Sequence, residues 1–176
     1  MKKSTAITLL LLALVLLSAS VSTNAQPGPG ASLTLNMYAA KFVCGKSDNR
    51  IVAPGQYFTA INVHNPSPTT RAIYIKRFAI ALPEEKPGRI SEFARGILGP
   101  DEAMGIDCEN IYKHTGASPG TFIEGYALLY SPSELDVVSI YTAGHSEVET
   151  LHTERVPVRK FVIGRSHAMS RRLLEQ

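Results

Sequence analysis

Short stretches of alternating apolar and polar residues make up most of the chain after residue 32. They are rich in β-branched and aromatic residues, and each ends at glycine, proline, asparagine or serine. The clearest case is residues 56–64, whose predicted core face carries Tyr57, Thr59, Ile61 and Val63. Because successive side chains of a strand point to opposite faces, this period of two predicts a half-buried strand.

The whole chain contains about eight such stretches, and a long helical pattern does not interrupt them. A single helical turn is predicted at 109–114. The predicted strands occupy residues 33–44, 56–64, 72–82, 89–94, 103–108, 122–130, 135–142 and 148–156. Regularly spaced short strands with turn residues between them are typical of an all-β fold. We therefore expect an antiparallel β-sandwich of about eight strands, immunoglobulin-like or jelly-roll-like, with an up-and-down barrel as the alternative.

The N-terminal segment has the composition of a signal peptide. Lys2 and Lys3 precede a short apolar run at residues 7–17, and small residues follow as far as Ala25. A basic start, a short apolar core and small residues before the cleaved bond are the features that a signal peptidase reads. The run is shorter than the ~20 apolar residues that span a bilayer. Residues 1–25 are therefore predicted to form a signal helix that is removed before Gln26, with export to the periplasm or the medium.

The remainder is predicted to contain one domain between two less regular segments. Residues 26–32 include Pro-Gly-Pro-Gly and are expected to be a flexible leader, the sandwich domain is placed at residues 33–158, and residues 159–176 are expected to be a basic, solvated tail. The last 22 residues contain six basic side chains against Glu175, so this tail could contact anionic surfaces. A second segment long enough to cross a membrane is not found in the sequence.

The overall charge excludes one class of partner. The chain has 18 basic and 15 acidic side chains, a formal net charge of +3. Loss of Lys2 and Lys3 would reduce it to about +1. Nucleic-acid binding needs a concentrated basic face, so a nucleic-acid partner is not expected.

The cysteine content predicts one disulfide. Cys44 and Cys108 are the two cysteines of the chain, and an oxidising compartment favours their pairing. Their wide separation differs from the C-x-x-C spacing of redox motifs. The alternative is a periplasmic metal-binding or redox protein that uses Cys44, Cys108 and nearby histidines; the histidines are His64, His114, His145, His152 and His167.

The sequence does not contain a recognisable catalytic motif. The segment around Gly164 and Ser166 superficially resembles a hydrolase nucleophile elbow, but too little chain follows for the acid and histidine that such enzymes carry after the serine. The acidic pairs flank predicted turns, where carboxylates cap backbone amides. We therefore expect a protein that is not an enzyme and that needs neither a cofactor nor a metal ion.

Three segments carry a resemblance to a known group of proteins. They are residues 56–66 (QYFTAINVHNP), residues 98–102 (LGPDE) before Ile106, and residues 131–138 (SPSELDVV) before Ile140. Together they resemble uncharacterised exported bacterial β-sandwich proteins over most of residues 38–158. The layout of strands and turns is also similar to the small sandwich of the sensory rhodopsin transducer. This resemblance implies a binding module rather than an enzyme.

The functional expectation is therefore an exported, non-catalytic β-sandwich module. It would act by protein binding or structural association in the cell envelope, with a protein or another envelope component as its partner. An exposed edge strand could accept a strand from that partner, and residues 72–82 are the candidate for this edge.

Overall fold

The computed structural model describes residues 32–48, 52–145, 149–164 and 168–174. In this part of the chain, ten strands and two short helices are present. The strands are β1 (Ser32–Ser47), β2 (Gly55–His64), β3 (Ala72–Ala81), β4 (Pro87–Ile90), β5 (Ala94–Leu98), β6 (Ala103–Asp107), β7 (Ile123–Ser131), β8 (Asp136–Gly144), β9 (Thr150–Arg155) and β10 (Arg159–Gly164), and the helices are α1 (Cys108–Thr115) and α2 (Ala168–Leu174). The prediction of an all-β class is confirmed.

The strands form one hydrogen-bonded antiparallel sheet with the order β4-β3-β7-β1-β2-β8-β9. Three strands lie off this path, with β10 on β1, β5 on β3, and β6 on β2. The length of β1 makes this network possible. Residues 32–37 of β1 pair with β10, residues 36–44 with β7, and residues 45–47 with β2. The packing of these strands as a sandwich stays a prediction.

The main core is built from one face of β1 and the matching faces of its neighbours. Tyr38, Ala40, Phe42 and Cys44 alternate along β1 and are almost completely buried. The ring of Phe42 meets that of Phe78 edge-on, at 6.4 Å between centroids. On β2, Thr59, Ile61 and Val63 are buried as predicted, and Tyr57 is half-buried. The apolar residues of this cluster also come from β5, β6, β7, β8 and α1.

The C-terminal segment differs from the solvated tail that the sequence predicts. Residues 159–164 form β10 on β1, and Leu173 of α2 is only 1% exposed. Phe161 and Ile163 alternate along β10 and join a second apolar cluster that also contains Leu35 and Tyr130. The many charged residues of this segment obscured the alternation of its apolar residues. Packing of these alternating residues against the second cluster holds β10 on β1.

The edge of the sheet also differs from the prediction. The expectation that residues 72–82 form an exposed edge is wrong, because β3 pairs with β7 on one side and with β4 and β5 on the other. The single strand expected at 89–94 is two strands, separated by residues 91–93. Ser91 bonds to Phe78 twice, through its backbone N–H to the Phe78 carbonyl and through its hydroxyl, which accepts from the Phe78 N–H. These bonds end β4 and redirect the chain.

Candidate functional site

The site begins at helix α1, whose ends are fixed by its own sequence. Asp107 is the N-cap, and its carboxylate accepts a hydrogen bond from Asn110 N at 2.9 Å. The Asn110 side chain accepts one from Asp107 N in return, which completes a capping box. At the other end, Gly116 adopts a left-handed conformation with φ of 69° and stops the helix. The predicted single turn is therefore an eight-residue helix.

A disulfide attaches the first residue of this helix to the core. Cys44 of β1 and Cys108 of α1 are bridged, with their Cα atoms 5.7 Å apart, as the sequence predicts. Thr59 of β2 packs against this bridge and donates its backbone N–H to the Cys108 sulfur at 3.3 Å. The bridge therefore holds the start of α1 beside β1 and β2. Because both sulfurs are joined, neither is available as a thiolate for a metal ion or a redox reaction.

The helix start and the outward face of two strands enclose an apolar groove of about 610 Å³. Phe58 and Ala60 of β2 and Ile140 of β8 form one side, while Cys108 and Tyr112 of α1 belong to the other. The remaining lining residues are Thr59, Asp107, Glu109, Pro119 and Thr142. This volume is within the range of pockets that hold small molecules or a few partner side chains.

Phe58 is the prominent side chain of the groove. It is 52% exposed, although phenylalanine is usually buried in folded proteins. Its neighbours across the ladder are small or β-branched: Phe58 pairs with Thr142, and Ala60 pairs with Ile140. About half of the Phe58 side chain is therefore open for contact.

The groove has an acidic rim and polar groups that already have structural partners. Asp107 and Glu109 are both exposed at the start of α1. The Tyr112 hydroxyl donates to the Thr121 carbonyl at 2.9 Å, and the Thr59 hydroxyl bonds to the backbone of Val43. Burial raises the pKa of Tyr112, so this phenol is neutral near pH 7. The arrangement provides an apolar surface with negative charge beside it.

A smaller cleft of about 300 Å³ lies next to the groove, and Phe58 and Thr142 line both. In this cleft the His152 ring stacks on Tyr141, with 5.9 Å between centroids. The Tyr141 hydroxyl donates to Glu154 at 3.3 Å. Burial raises the pKa of Tyr141, and the nearby Glu154 charge adds to this rise. Tyr141 is therefore a neutral donor rather than a base.

The histidines of the metal-binding alternative lie apart from the disulfide, or outside the described residues. His64 is 3.7 Å from Asp136 and 3.9 Å from Asp101, His114 stacks on Phe78, and His152 stacks on Tyr141. His145 is exposed after β8, and His167 lies outside the described residues. Among the described side chains, a group of three or more histidine, cysteine, aspartate or glutamate residues that could hold a metal ion is not found.

Several predicted positions lie outside the described residues. They include the cleavage site at Ala25 and Gln26, Ser166 of the elbow-like motif, and all of the predicted leader at residues 26–32 except Ser32, which is the first residue of β1. Signal-peptide cleavage therefore stays a prediction. Within the described ranges, no helix has the length and apolar character required to cross a membrane.

The sequence did not identify the groove, although it contained one relevant signal. In the alternating pattern of residues 56–64, Phe58 occupies the face opposite the predicted core. A large aromatic residue at such a position indicates a surface that contacts something else. Asp107, Cys108 and Tyr112 could not be added to Phe58 from the sequence, because α1 is brought to this face by contacts between distant parts of the chain, among them the disulfide and the β2–β6 pairing.

The fold and the site define a β-rich domain with one disulfide and an open apolar groove. Comparison with protein families and with curated proteins gives no match. Among solved structures, the crystal structure of Thermotoga maritima 1070 is similar with a TM-score of 0.41 and 9% sequence identity, over 71% of this chain and 92% of that one. A likeness of this degree carries no functional inference.

Proposed function

We propose that the protein is an exported, non-catalytic binding module that takes an apolar side chain of a partner protein into the groove beside α1. The observation that carries this proposal is the half-exposed Phe58 in the wall of an apolar groove. Full burial of a completely exposed large apolar side chain contributes about 1.5–3 kcal/mol, and covering the exposed 52% of Phe58 contributes a corresponding part of this. Aromatic anchors of this kind dominate the binding energy of many protein interfaces.

The charge at the rim indicates what should flank that apolar side chain. Asp107 and Glu109 place two carboxylates at the start of α1, next to the Cys108 wall of the groove. A basic residue beside the inserted apolar residue would face these carboxylates, whereas an acidic one would be repelled. The partner segment is therefore an exposed apolar residue, such as leucine, with a neighbouring lysine or arginine.

The roles of the polar groups support binding rather than catalysis. Asp107 caps the helix, the Thr59 hydroxyl joins β2 to β1, and the Tyr112 hydroxyl bonds to Thr121. Cys108 is held in the disulfide. Groups that are already engaged in stabilising the fold are poorly placed to transfer protons or attack a substrate. The same pairing of Cys108 leaves the metal or redox alternative without its cysteine ligands.

The cellular location in this proposal is the cell envelope or the medium. A disulfide persists in oxidising compartments and is rare in reducing ones, which supports the predicted export. In such a location, binding must work without the energy-dependent machinery of the cytoplasm. A preformed groove on a disulfide-held helix suits this requirement because little ordering is needed on binding.

The test is an NMR titration of the isotope-labelled full chain with short blocked peptides. The first peptide is Gly-Leu-Lys-Gly, and its two controls are Gly-Leu-Glu-Gly and Gly-Ser-Lys-Gly. We expect the Leu-Lys peptide to shift the backbone amides of Phe58, Ala60 and Ile140. The Leu-Glu peptide should cause smaller shifts because of the acidic rim, and the Ser-Lys peptide should cause almost none.

A matched pair of variants distinguishes binding in the groove from nonspecific binding to exposed apolar side chains. Phe58→Ser removes the anchor, while Val162→Ser removes a comparably exposed apolar side chain on β10, where Val162 is 65% exposed. The response to the Leu-Lys peptide should be lost in Phe58→Ser and retained in Val162→Ser. Equal responses of the two variants, or shifts confined to loops away from the groove, would contradict the proposal.

A further inference from the structure

Strand β9 is the outermost strand on its side of the sheet. It pairs with β8, and in the described part of the chain it has no other neighbouring strand. All six of its residues, Thr150–Arg155, are exposed, and Leu151 is 68% exposed. An uncovered strand of this kind offers a row of backbone N–H and carbonyl groups to another strand.

The hydrogen bonding to β8 shows which backbone groups are offered. Val156 N donates to the Val137 carbonyl at 2.9 Å, and the register continues with Glu154 opposite Ser139 and His152 opposite Tyr141. In an antiparallel ladder, bonded and non-bonded pairs alternate. The N–H and carbonyl groups of the intervening residues, Leu151, Thr153 and Arg155, therefore point away from β8, toward the open edge.

We propose that β9 pairs with β9 of a second copy of this chain, antiparallel and centred on Thr153. A two-fold axis at Thr153 places Thr153 opposite its own equivalent and bonds the outward backbone groups of both strands. The same register places His152 opposite Glu154, and Leu151 opposite Arg155, twice each. Facing hydroxyl groups across strands are stabilising, and the His152 ring can donate a hydrogen bond to the Glu154 carboxylate, whereas like charges directly opposite each other are destabilising.

The side chains of β9 are already held in place for this pairing. The His152 ring stacks on Tyr141, and Glu154 accepts a hydrogen bond from the Tyr141 hydroxyl. Arg155 bonds to Asp136 at 2.6 Å, which leaves its alkyl stem to cover the exposed Leu151 of the second copy. Because these groups are oriented before association, less conformational freedom is lost when the two strands meet.

The two-fold symmetry closes the β9 contact at two copies. A contact in which both copies use the same strand about a two-fold axis consumes the edge of each, so the assembly closes as a dimer. The charged residues of β9, Glu154 and Arg155, oppose pairing with an unrelated strand, whereas in this register they face His152 and Leu151 of the second copy and meet no like charge. This inference does not depend on the proposed binding of a partner side chain in the groove.

The experiment is sedimentation equilibrium of the full chain over about a hundredfold range of concentration, with the variants Thr153→Pro and Thr153→Val. Proline removes the outward N–H of Thr153 and is tolerated on an edge strand, whereas valine keeps that N–H and a β-branched shape. We expect a concentration-dependent dimer that Thr153→Val retains. In Thr153→Pro the dissociation constant should rise by about tenfold or more, because each copy loses a hydrogen bond.

A charge exchange provides an independent test should Thr153→Pro fail to fold. His152→Glu opposes two pairs of carboxylates and should weaken the dimer by about threefold to tenfold. Adding Glu154→His to His152→Glu restores the complementary pairs and should recover most of the loss. A monomer at every concentration would overturn the inference. So would a dimer whose dissociation constant is the same in Thr153→Pro and Thr153→Val, or unaffected by the charge exchange.

Discussion

The hydroxyl of Thr59 bonds to both backbone groups of Val43. It accepts a hydrogen bond from Val43 N and donates one to the Val43 carbonyl, each at 2.9 Å. One side chain of β2 therefore takes the place of a neighbouring strand for one residue of β1. This contact lies beside the disulfide that holds the start of α1. It therefore joins β1 to β2 at the place where α1 forms one side of the groove.

Replacing Thr59 by valine should lower the free energy of unfolding by about 1–3 kcal/mol. Valine has nearly the same shape, but it leaves the N–H and carbonyl of the half-buried Val43 without this partner. Urea denaturation is the measurement, with Thr34→Val as the control because Thr34 is exposed on β1. Similar losses in the two variants would mean that the Thr59 hydroxyl has no special role.

The disulfide should contribute strongly to stability. Cys44 and Cys108 are 64 residues apart, and chain entropy for a loop of this length gives about 4 kcal/mol. We expect the urea midpoint to fall on reduction and in the variant with both cysteines replaced by alanine. The double variant should not respond to a reducing agent, and this serves as the control. A reduced protein as stable as the oxidised one would refute this prediction.

The sequence predicted the strands and the disulfide well because both depend on local patterns. The period of two on β2 identified Thr59, Ile61 and Val63 as buried. The oxidising compartment expected for an exported protein predicted the pairing of Cys44 with Cys108. The sheet edges could not be predicted in the same way. Whether β3 is central or β9 is outermost depends on pairings between strands that are distant in the chain, such as β3 with β7.

The C-terminal segment shows how composition can mask a structural role. Arg172 lies over the ring of Phe93, with its guanidinium carbon 5.4 Å from the ring centroid, and Lys160 is 3.5 Å from Glu134. These basic residues suggested a solvated tail, yet they surround apolar residues that pack on β1. Contact of the basic side chains with an anionic surface stays a prediction.

Leu173→Ala should therefore destabilise the domain rather than only loosen its end. The Leu173 side chain is 1% exposed and belongs to a cluster with Leu35, Ile75 and Tyr130. Removing a buried leucine side chain costs about 2–5 kcal/mol, and we expect a value near the lower limit because α2 is short. Val162→Ala is the control, since Val162 is largely exposed on β10. Equal unfolding midpoints for the two variants would contradict docking of α2.

His114 should make the stability of the protein depend on pH. Its ring stacks on Phe78, and its pKa is lowered first by burial and then by the positive charges of Lys76 and Lys113. The unfolded chain, with a histidine pKa near 6.5, therefore binds a proton more readily than the folded protein does. Stability should accordingly fall as the pH drops below about 6.5, until His114 is protonated in the folded state as well.

His114→Phe isolates this contribution because it retains an aromatic ring against Phe78 and does not titrate. The difference in unfolding free energy between His114→Phe and the wild type, measured in urea, should increase as the pH is lowered from about 7.5 to about 5.5. His145→Phe is the matched control, because it makes the same substitution at a histidine that is exposed after β8. A difference that is constant with pH would show that protonation of His114 is not coupled to folding.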